Sequence, residues 1–417
     1  MSRTPASESS RFDTDVLVVG AGPSGLTLAA SLAEHGVRAT VIDRQAEGAN
    51  TSRAAVVHAR TLEVLESLDV AGRLVARGIQ ARRFTVRDRD RVLIPIGFED
   101  LPTRYPYTLM VSQAVTESVL LERFTELGGN VLRPRALVDL HQDDIGATVT
   151  LDDGQQLRAR YVVGADGMNS TVRERAGIGF TGGAYGESFV LADVRLTGGV
   201  PSDEVILYFS PAGMVVVAPL PDGVHRIVAT VDAPEQPDVA YAQALLDMRG
   251  PKAERAVVHE VVWGSRFRVH HRLADVYRQG RVLLAGDAAH VHSPAGGQGM
   301  NAGILDAVTL ADALTRALAG DDSALDAYGA LRRPIAQQIV ALADRLTRMA
   351  VVRPGWRVLR NLLLSTLSLL PSLRRQLAWR LSGLVYRASR VSSSRSARRL
   401  AMSRPTVTTA STRSPRR

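Results

Sequence analysis

The sequence predicts an α/β protein: a parallel-sheet domain interrupted by mostly antiparallel strands and followed by C-terminal helices. Three stretches predict it. An apolar strand from Asp15 to Gly20 runs into Gly20-Ala21-Gly22-Pro23-Ser24-Gly25. A helix from Leu26 to His35, a stop at Gly36 and a strand from Ala39 to Asp43 complete a βαβ opening of Rossmann type. Phe189 to Val231 alternates β-branched and apolar residues broken by Pro and Gly, the pattern of an antiparallel sheet. Finally, Gly280 to Asn301 reads as a strand (Val282 to Ala285), Gly286-Asp287, Pro294, a Gly-Gln-Gly cluster and a helix start.

Arg53 to Leu74 is helical, with Leu62, Leu65, Leu68 and Val70 as its apolar stripe. Phe84 to Ile96 is a hairpin turning near Asp88 to Arg91, and Gln113 to Leu127 is a helix. Three strands follow, Ala136 to His141, Ala147 to Leu151 and Leu157 to Val163, joined by Asp-rich turns. After Asn301 the spacing of Ile304, Ala307, Val308, Ala311, Leu314 and Leu318 is helical, ending at Gly320-Asp321. Helical patterns resume over Leu331 to Met349 and Trp356 to Tyr386, interrupted by Pro354 and Pro371.

The chain carries 51 basic and 42 acidic residues. Nine Arg and no acid fall in residues 387–417, so the net charge of +9 belongs to a Ser/Arg/Thr-rich tail expected to be solvated, not to a nucleic-acid-binding face. Weak association of this tail with an anionic membrane or nucleic acid is the second reading. The absence of Cys excludes disulfides, thiolate nucleophiles and Cys-ligated metals. The polar N-terminus lacks an apolar signal core, which makes cytoplasmic residence the expectation. Asn361 to Leu373 is uncharged and Leu-rich, but its 13 residues reach only ~20 Å as a helix, short of the ~30 Å membrane core. Packing within a C-terminal helical region is expected of it; an interfacial helix flanked by Arg is the alternative.

The first motif places Gly20 at a tight turn, Gly22 where a pyrophosphate can approach the backbone, and Gly25 where helix meets strand. Asp43, at the end of the next strand, is positioned for a ribose hydroxyl; Arg44 beside it would also suit a 2′-phosphate. These residues alone do not separate FAD from NAD. A second polar stretch, Tyr161 to Gly167 with Asp166-Gly167 at its end, continues through Ser170 to Arg173. In the third, Asp287 can accept from a ribose or ribityl hydroxyl, and the amides around Gly297 to Met300 face an electron-rich ligand edge. His290, His292 and the pair His270-His271 lack the convergent partners a metal needs, so no metal is expected.

The combination of an N-terminal GxGxxG, a central Asp166-Gly167 and a later Gly286-Asp287 resembles the FAD-dependent aromatic hydroxylases, flavoprotein monooxygenases with the para-hydroxybenzoate hydroxylase fold. The resemblance spans roughly residues 12 to 335. Leu101 to Tyr107 running into Gln113 and Glu117 is similar to the subgroup that hydroxylates aromatic polyketides. It implies a FAD-binding domain made of residues 12–82, 104–180 and 266–330. It further implies a substrate domain of 83–103 and 181–265, a helical region at 331–386 and a basic tail at 387–417.

By the same resemblance Ser24, Asp43 and Arg44 would hold the ADP half of FAD. Arg53 and Gln113 would lie along the pyrophosphate and flavin, and Asp287 would bind the ribityl chain. Pro294 would sit near the oxygen-reacting face. Gly297, Gln298, Gly299, Met300 and Asn301 would face the pyrimidine edge, and Asp166-Gly167 would serve both FAD and NAD(P)H. In such enzymes NADH or NADPH reduces the flavin, O2 adds to give a C4a-hydroperoxide, and the distal oxygen passes to an aromatic ring.

One face of the strand Met214 to Leu220 carries Met214, Val216, Ala218 and Leu220. Benzoate-specific members place a Ser and Arg clamp where Ala218 and Leu220 stand, so the expected substrate is a bulky, apolar aromatic or polyketide. Tyr208 and His225 are candidates for polarising a phenol, the other reading being ordinary sheet or turn residues. Halogenation is disfavoured, because no i, i+2 Trp pair is present and the sole Lys is Lys252. The motifs leave open a flavin oxidase, dehydrogenase or epoxidase on the same fold, and a flavin-binding protein without turnover. Oligomeric state is left open as well.

Overall fold

The computed structural model describes residues 11–48, 54–210, 212–231, 237–294, 296–350 and 354–389; Arg53 and residues 390–417 of the basic tail lie outside them. The chain opens with β1 (Thr14–Val19), α1 (Pro23–Glu34), β2 (Ala39–Ile42), β3 (Val56–Val57), α2 (Ala59–Leu65), α3 (Ala71–Ala76), β4 (Ile79–Ala81), β5 (Arg83–Asp88), β6 (Arg91–Gly97) and β7 (Thr108–Met110). It continues through α4 (Gln113–Glu126), β8 (Val131–Leu132), β9 (Leu137–Gln142), β10 (Ala147–Leu151), β11 (Gln156–Gly164), α5 (Thr171–Arg175), β12 (Phe180–Thr197), β13 (Glu204–Ser210), β14 (Gly213–Leu220) and β15 (Val224–Val231). The remainder is α6 (Val239–Arg249), β16 (Val257–Ala274), β17 (Arg278–Gln279), β18 (Val282–Leu284), β19 (His290–Val291), α7 (Gly299–Leu318), α8 (Ser323–Ala350), α9 (Arg357–Leu367) and α10 (Pro371–Leu381).

The first sheet runs β17-β18-β11-β1-β2-β8, with β10 and β9 added beyond β11. Its centre, β18-β11-β1-β2, is parallel. Val16, Leu17 and Val18 of β1 are fully buried, as expected for a strand covered on both faces. Pro23 presets the first turn of α1, and Gly36, at φ +73°, ends it. α1 packs against α7 and α4, so the chain's first helix touches one formed about 280 residues later.

The second sheet, β19-β16-β12-β15-β14-β13-β5-β6, is antiparallel except where β13 runs parallel to β5. One face carries Val190, Ala192, Tyr208, Val215, Val217, Ile227 and Ala229 and packs on α6. The inner face carries Phe189, Met214, Val216, Phe267 and Leu220, and meets Ala55, Val56 and Met110 of the first domain and Leu364 and Ala378 of α9 and α10. The helix α6 and the full length of β16 were not anticipated in the sequence. α8 starts at Ser323 and runs unbroken across residues 330 and 331 with Pro334 inside it. The Asn361 to Leu373 run divides between α9 and α10 and packs less than expected, since only Asn361 and Leu364 of α9 are buried. Among the described residues no helix is long and apolar enough to cross a membrane.

Candidate functional site

The three motifs sit at the carboxyl ends of adjacent parallel strands: Gly20 after β1, Asp43 after β2, Asp166 after β11 and Gly286 after β18. Open α/β sheets bind ligands at this edge. The ends are stitched by backbone bonds: Gly20 N–H to Ile42 C=O (2.8 Å), Ala165 N–H to Val19 C=O (2.8 Å) and Ala285 N–H to Gly164 C=O (3.0 Å).

The glycines of the first motif divide by what surrounds them. Gly20, at φ +105°, would place a Cβ 2.4 Å from the Ala165 carbonyl oxygen, and Gly25 would place one 1.9 Å from the Gly20 oxygen. Both are required by the fold. Gly22 has an extended φ of −77° and a Cβ there would meet nothing within 4 Å, so this glycine is not demanded by packing or by strain. Its bareness suits a group approaching the backbone. The first intrahelical bond of α1 runs from Leu26 N–H to Gly22 C=O (2.9 Å), so the amides of Ser24 and Gly25 precede it at the positive end of the helix.

Asp43 accepts from the Ala21 amide (2.7 Å) and the Gln45 amide (2.8 Å), fixing the turn while standing at the site's edge. Arg44 is exposed next to it. Ser24 turns toward the third motif. A Cβ on Gly286 would lie 2.4 Å from its hydroxyl oxygen and one on Gly303 2.2 Å from it, so Ser24 is wedged between the Gly286 turn and α7.

Asp166 acts locally. Its carboxylate accepts from the Ser170 hydroxyl (2.5 Å) and the Val172 amide (3.1 Å), bracing the start of α5. Burial raises its pKa, with those bonds opposing the rise. Gly167 follows at φ +82° with open space where a Cβ would stand. Arg173 ties this loop to the third motif by donating to the carbonyls of Ala288 (2.9 Å) and Met168 (2.9 Å).

Asp287 is exposed on the turn after β18. Pro294 is exposed too, and its carbonyl accepts from Gly297 N–H (2.9 Å). Gly297 has φ +61° and a Cβ there would lie 3.0 Å from that of Val56, and Gln298 caps α7 without a side-chain cap bond. The first bond of α7 runs from Ala302 N–H to Gln298 C=O (2.8 Å), so the amides of Gly299, Met300 and Asn301 lie at the positive helix end. Asn301 is a clamp: its amide donates to Val56 C=O (2.8 Å) and Gly297 C=O (2.8 Å), while its oxygen accepts from His58 N–H (2.8 Å). Gln113 performs a similar duty for the preceding loop, bonding to Ala54 and to Glu117.

Two buried groups were missed by sequence reasoning. Asp306, fully buried in α7, accepts from Arg332 Nε (2.6 Å), His290 Nε2 (2.7 Å) and the Gly286 amide (3.3 Å). Burial raises its pKa, but Arg332 and His290 outweigh that and hold it below the usual carboxylate range. An acid inside the apolar stripe of Ile304, Ala307 and Ala311 was the available signal. His58 is the other. Its Nε2 lies 3.0 Å from Gly296 C=O, and burial pushes its pKa down to about 4 although the Gly296 and Gly297 backbone opposes this.

Because the pKa of His58 is lower in the folded chain than its ordinary 6.5, the unfolded chain binds more protons between these values. Stability is therefore full above about pH 6.5 and falls as pH drops toward 4, by up to about 3 kcal/mol from His58. Urea melts at pH 7 and pH 5 should show this loss, and His58→Gln should reduce the difference between the two pH values. Equal differences in both proteins would refute the assignment.

On the inner face of the second sheet the expected set Met214, Val216, Ala218 and Leu220 is brought together. Tyr208 and His225, the candidates for polarising a phenol, are not with it. The ladder pairs Tyr208 with Val215 and His225 with Pro219, which puts both side chains on the opposite face from Met214 to Leu220. Burial drives the Tyr208 pKa up to about 12. The inner face instead carries Arg226, paired with Ala218 in the ladder and bound in two-point fashion to Asp193 (2.7 and 2.8 Å). Tyr208→Phe should leave turnover within about twofold and raise stability by up to about 1 kcal/mol, because its buried hydroxyl has no partner among the described residues. A turnover loss above tenfold at unchanged melting temperature would restore Tyr208 to the site.

A parallel-sheet edge with a bare glycine turn, an acid after β2 and a second helix N-terminus has the form of a dinucleotide-binding site, with the apolar face of the second sheet beside it. The model of the FAD binding domain family matches residues 13–343. Rifampicin monooxygenase of Streptomyces venezuelae is 38% identical over 360 residues, covering 84% of this chain and 74% of that protein. The 12-dehydrotetracycline 5-monooxygenase/anhydrotetracycline 6-monooxygenase of Streptomyces rimosus is 37% identical over 398 residues, covering 89% and 76%. Among solved structures, the OxyS anhydrotetracycline hydroxylase from Streptomyces rimosus superposes with a TM-score of 0.74 at 35% identity, covering 89% of this chain and 76% of that one. The chain belongs to this family: it is a FAD-dependent monooxygenase of the aromatic hydroxylase type.

Proposed function

We propose that this monooxygenase consumes NADH or NADPH and O2 to hydroxylate a bulky, mostly apolar polycyclic aromatic or polyketide substrate in bacterial secondary metabolism. The observation that carries the reading is the inner face of Met214, Val216, Ala218 and Leu220, apolar against the flavin domain, with the Arg226 beside Ala218 already neutralised by two-point pairing to Asp193 and so not set to clamp a carboxylate. The relatives named for rifampicin and for tetracycline intermediates support the same substrate class.

FAD, when bound, supplies reduction by NAD(P)H and delivery of one atom of O2 to the ring. The protein's share is binding, orientation and water exclusion. Gly22 and the amides opening α1 would hold the pyrophosphate, with Asp43 at the ribose, Arg44 nearby and Asp287 on the ribityl chain. The amides of Gly299 to Asn301 would stabilise negative charge at the pyrimidine edge of the reduced ring, and Pro294 would border the side where oxygen reacts. Asn301 and His58 would keep that helix end in place.

Purified holoprotein incubated with polycyclic phenols, NAD(P)H and 18O2 tests this. The expected result is stimulated NAD(P)H oxidation, little free peroxide and one labelled oxygen in the product. Unlabelled product would favour the oxidase reading, and tight productive binding of para-hydroxybenzoate would sink the substrate assignment.

A further inference from the structure

The helix α9 is arranged inside out. Trp356, Val358, Leu359, Leu362, Leu363 and Leu369 are 62, 74, 54, 55, 55 and 77% exposed, along α9 and its two ends. Two of its polar residues, Asn361 and Arg360, reach toward the protein instead. Asn361 donates to Asp88 (2.8 Å) and to Phe209 C=O (3.1 Å). Arg360 donates to the carbonyls of Met349 (3.0 Å) and Phe209 (3.2 Å), with its guanidinium 4.3 Å from the Phe209 ring centre. An ordinary surface helix has the reverse polarity, and large apolar side chains exposed together along one helix mark an interaction surface.

Charge says what the surface meets. Seventeen of the 51 basic residues follow Asp344, and no acidic residue does. Arg357, Arg374, Arg375 and Arg380 stand in or beside the helices that bear the patch. Self-association through this face would bring Arg against Arg with no acid of the segment to pair with them. An apolar helix face together with a polybasic segment is the two-signal pattern that holds proteins on anionic lipid.

We propose that α9 and the turn after it lie in the surface of an anionic bilayer, with the Leu side chains among the acyl chains and the Arg residues at the headgroups. α9 and α10 then form a single layer between lipid and the inner sheet face, because Leu364 and Ala378 pack in the same cluster as Met214 and Phe189.

The test is co-sedimentation of the full-length, FAD-loaded protein with vesicles of phosphatidylcholine alone and of phosphatidylcholine mixed with phosphatidylglycerol. Binding to the mixed vesicles should exceed binding to phosphatidylcholine by about tenfold or more and weaken as salt rises. The double variant Leu362→Asp/Leu363→Asp alters exposed positions, so its flavin spectrum and melting temperature should match the parent while its lipid binding is lost. Absence of binding, equal binding to both vesicles, or binding unchanged in the double variant would overturn the proposal. So would a lipid-free dimer that this variant dissolves, since that would make a second copy the occupant.

Discussion

Replacing Gly22 by valine should give a folded protein that purifies colourless. The position has an extended backbone that any residue adopts, and a Cβ there meets no atom of the chain within 4 Å. The only loss expected is therefore the approach of the ligand's phosphates to the backbone. Flavin affinity should fall by about a hundredfold or more, roughly 3 kcal/mol, while the melting temperature without added FAD stays the same. Gly25→Ala is the informative contrast. Its Cβ would lie 1.9 Å from the Gly20 oxygen, so this variant should lose stability as well as flavin. Titration with FAD followed by flavin fluorescence quenching, alongside thermal melts, separates the two. A Gly22→Val protein that stays yellow would show that the turn does not carry the pyrophosphate.

Asp306→Ala should be the most damaging single change to stability. It removes the carboxylate that neutralises Arg332 and orients His290, leaving a guanidinium 4% exposed without its ion-pair partner. Breaking a buried pair from one side costs about 3–5 kcal/mol, a large part of the ~5–15 kcal/mol that holds a typical domain together. Soluble yield should collapse, and surviving protein should unfold at markedly lower urea. Asp306→Asn keeps the shape and some hydrogen bonds but not the charge, and should be intermediate. A near-wild-type urea midpoint for Asp306→Ala would mean that the Gly286 turn is held by other means.

What the sequence revealed was mostly local. The β1-α1-β2 opening and the hairpin of β5 and β6 follow from spacing within a few dozen residues, and each motif was visible as glycines and acids at the end of an apolar strand. Their meeting was suggested by resemblance, because nothing in local pattern says that β11 lies between β18 and β1. The Asp306–Arg332 pair joins residues on two helices whose packing angle no periodicity reveals. The face that Tyr208 takes was not legible for a related reason. Period two orders side chains within β13 and within β14, but the hairpin register decides which face of one matches which face of the other, and it set Tyr208 opposite Val215. α8 continued across 331 because nothing between Ser323 and Ala350, Pro334 included, breaks it.

The wedge of Ser24 between Gly286 and Gly303 also governs how the molecule can be made. Synthesis from the N-terminus makes β1 and α1 before their neighbours β11 and α7, the latter ending at Leu318. Such distant parallel pairing gives high contact order and slow folding. The glycine turn must therefore wait, exposed at the start of the nascent chain, until some three hundred residues have followed it. Cofactor capture is therefore expected late in biosynthesis, and truncation before α7 would leave the turn without the elements that shape it.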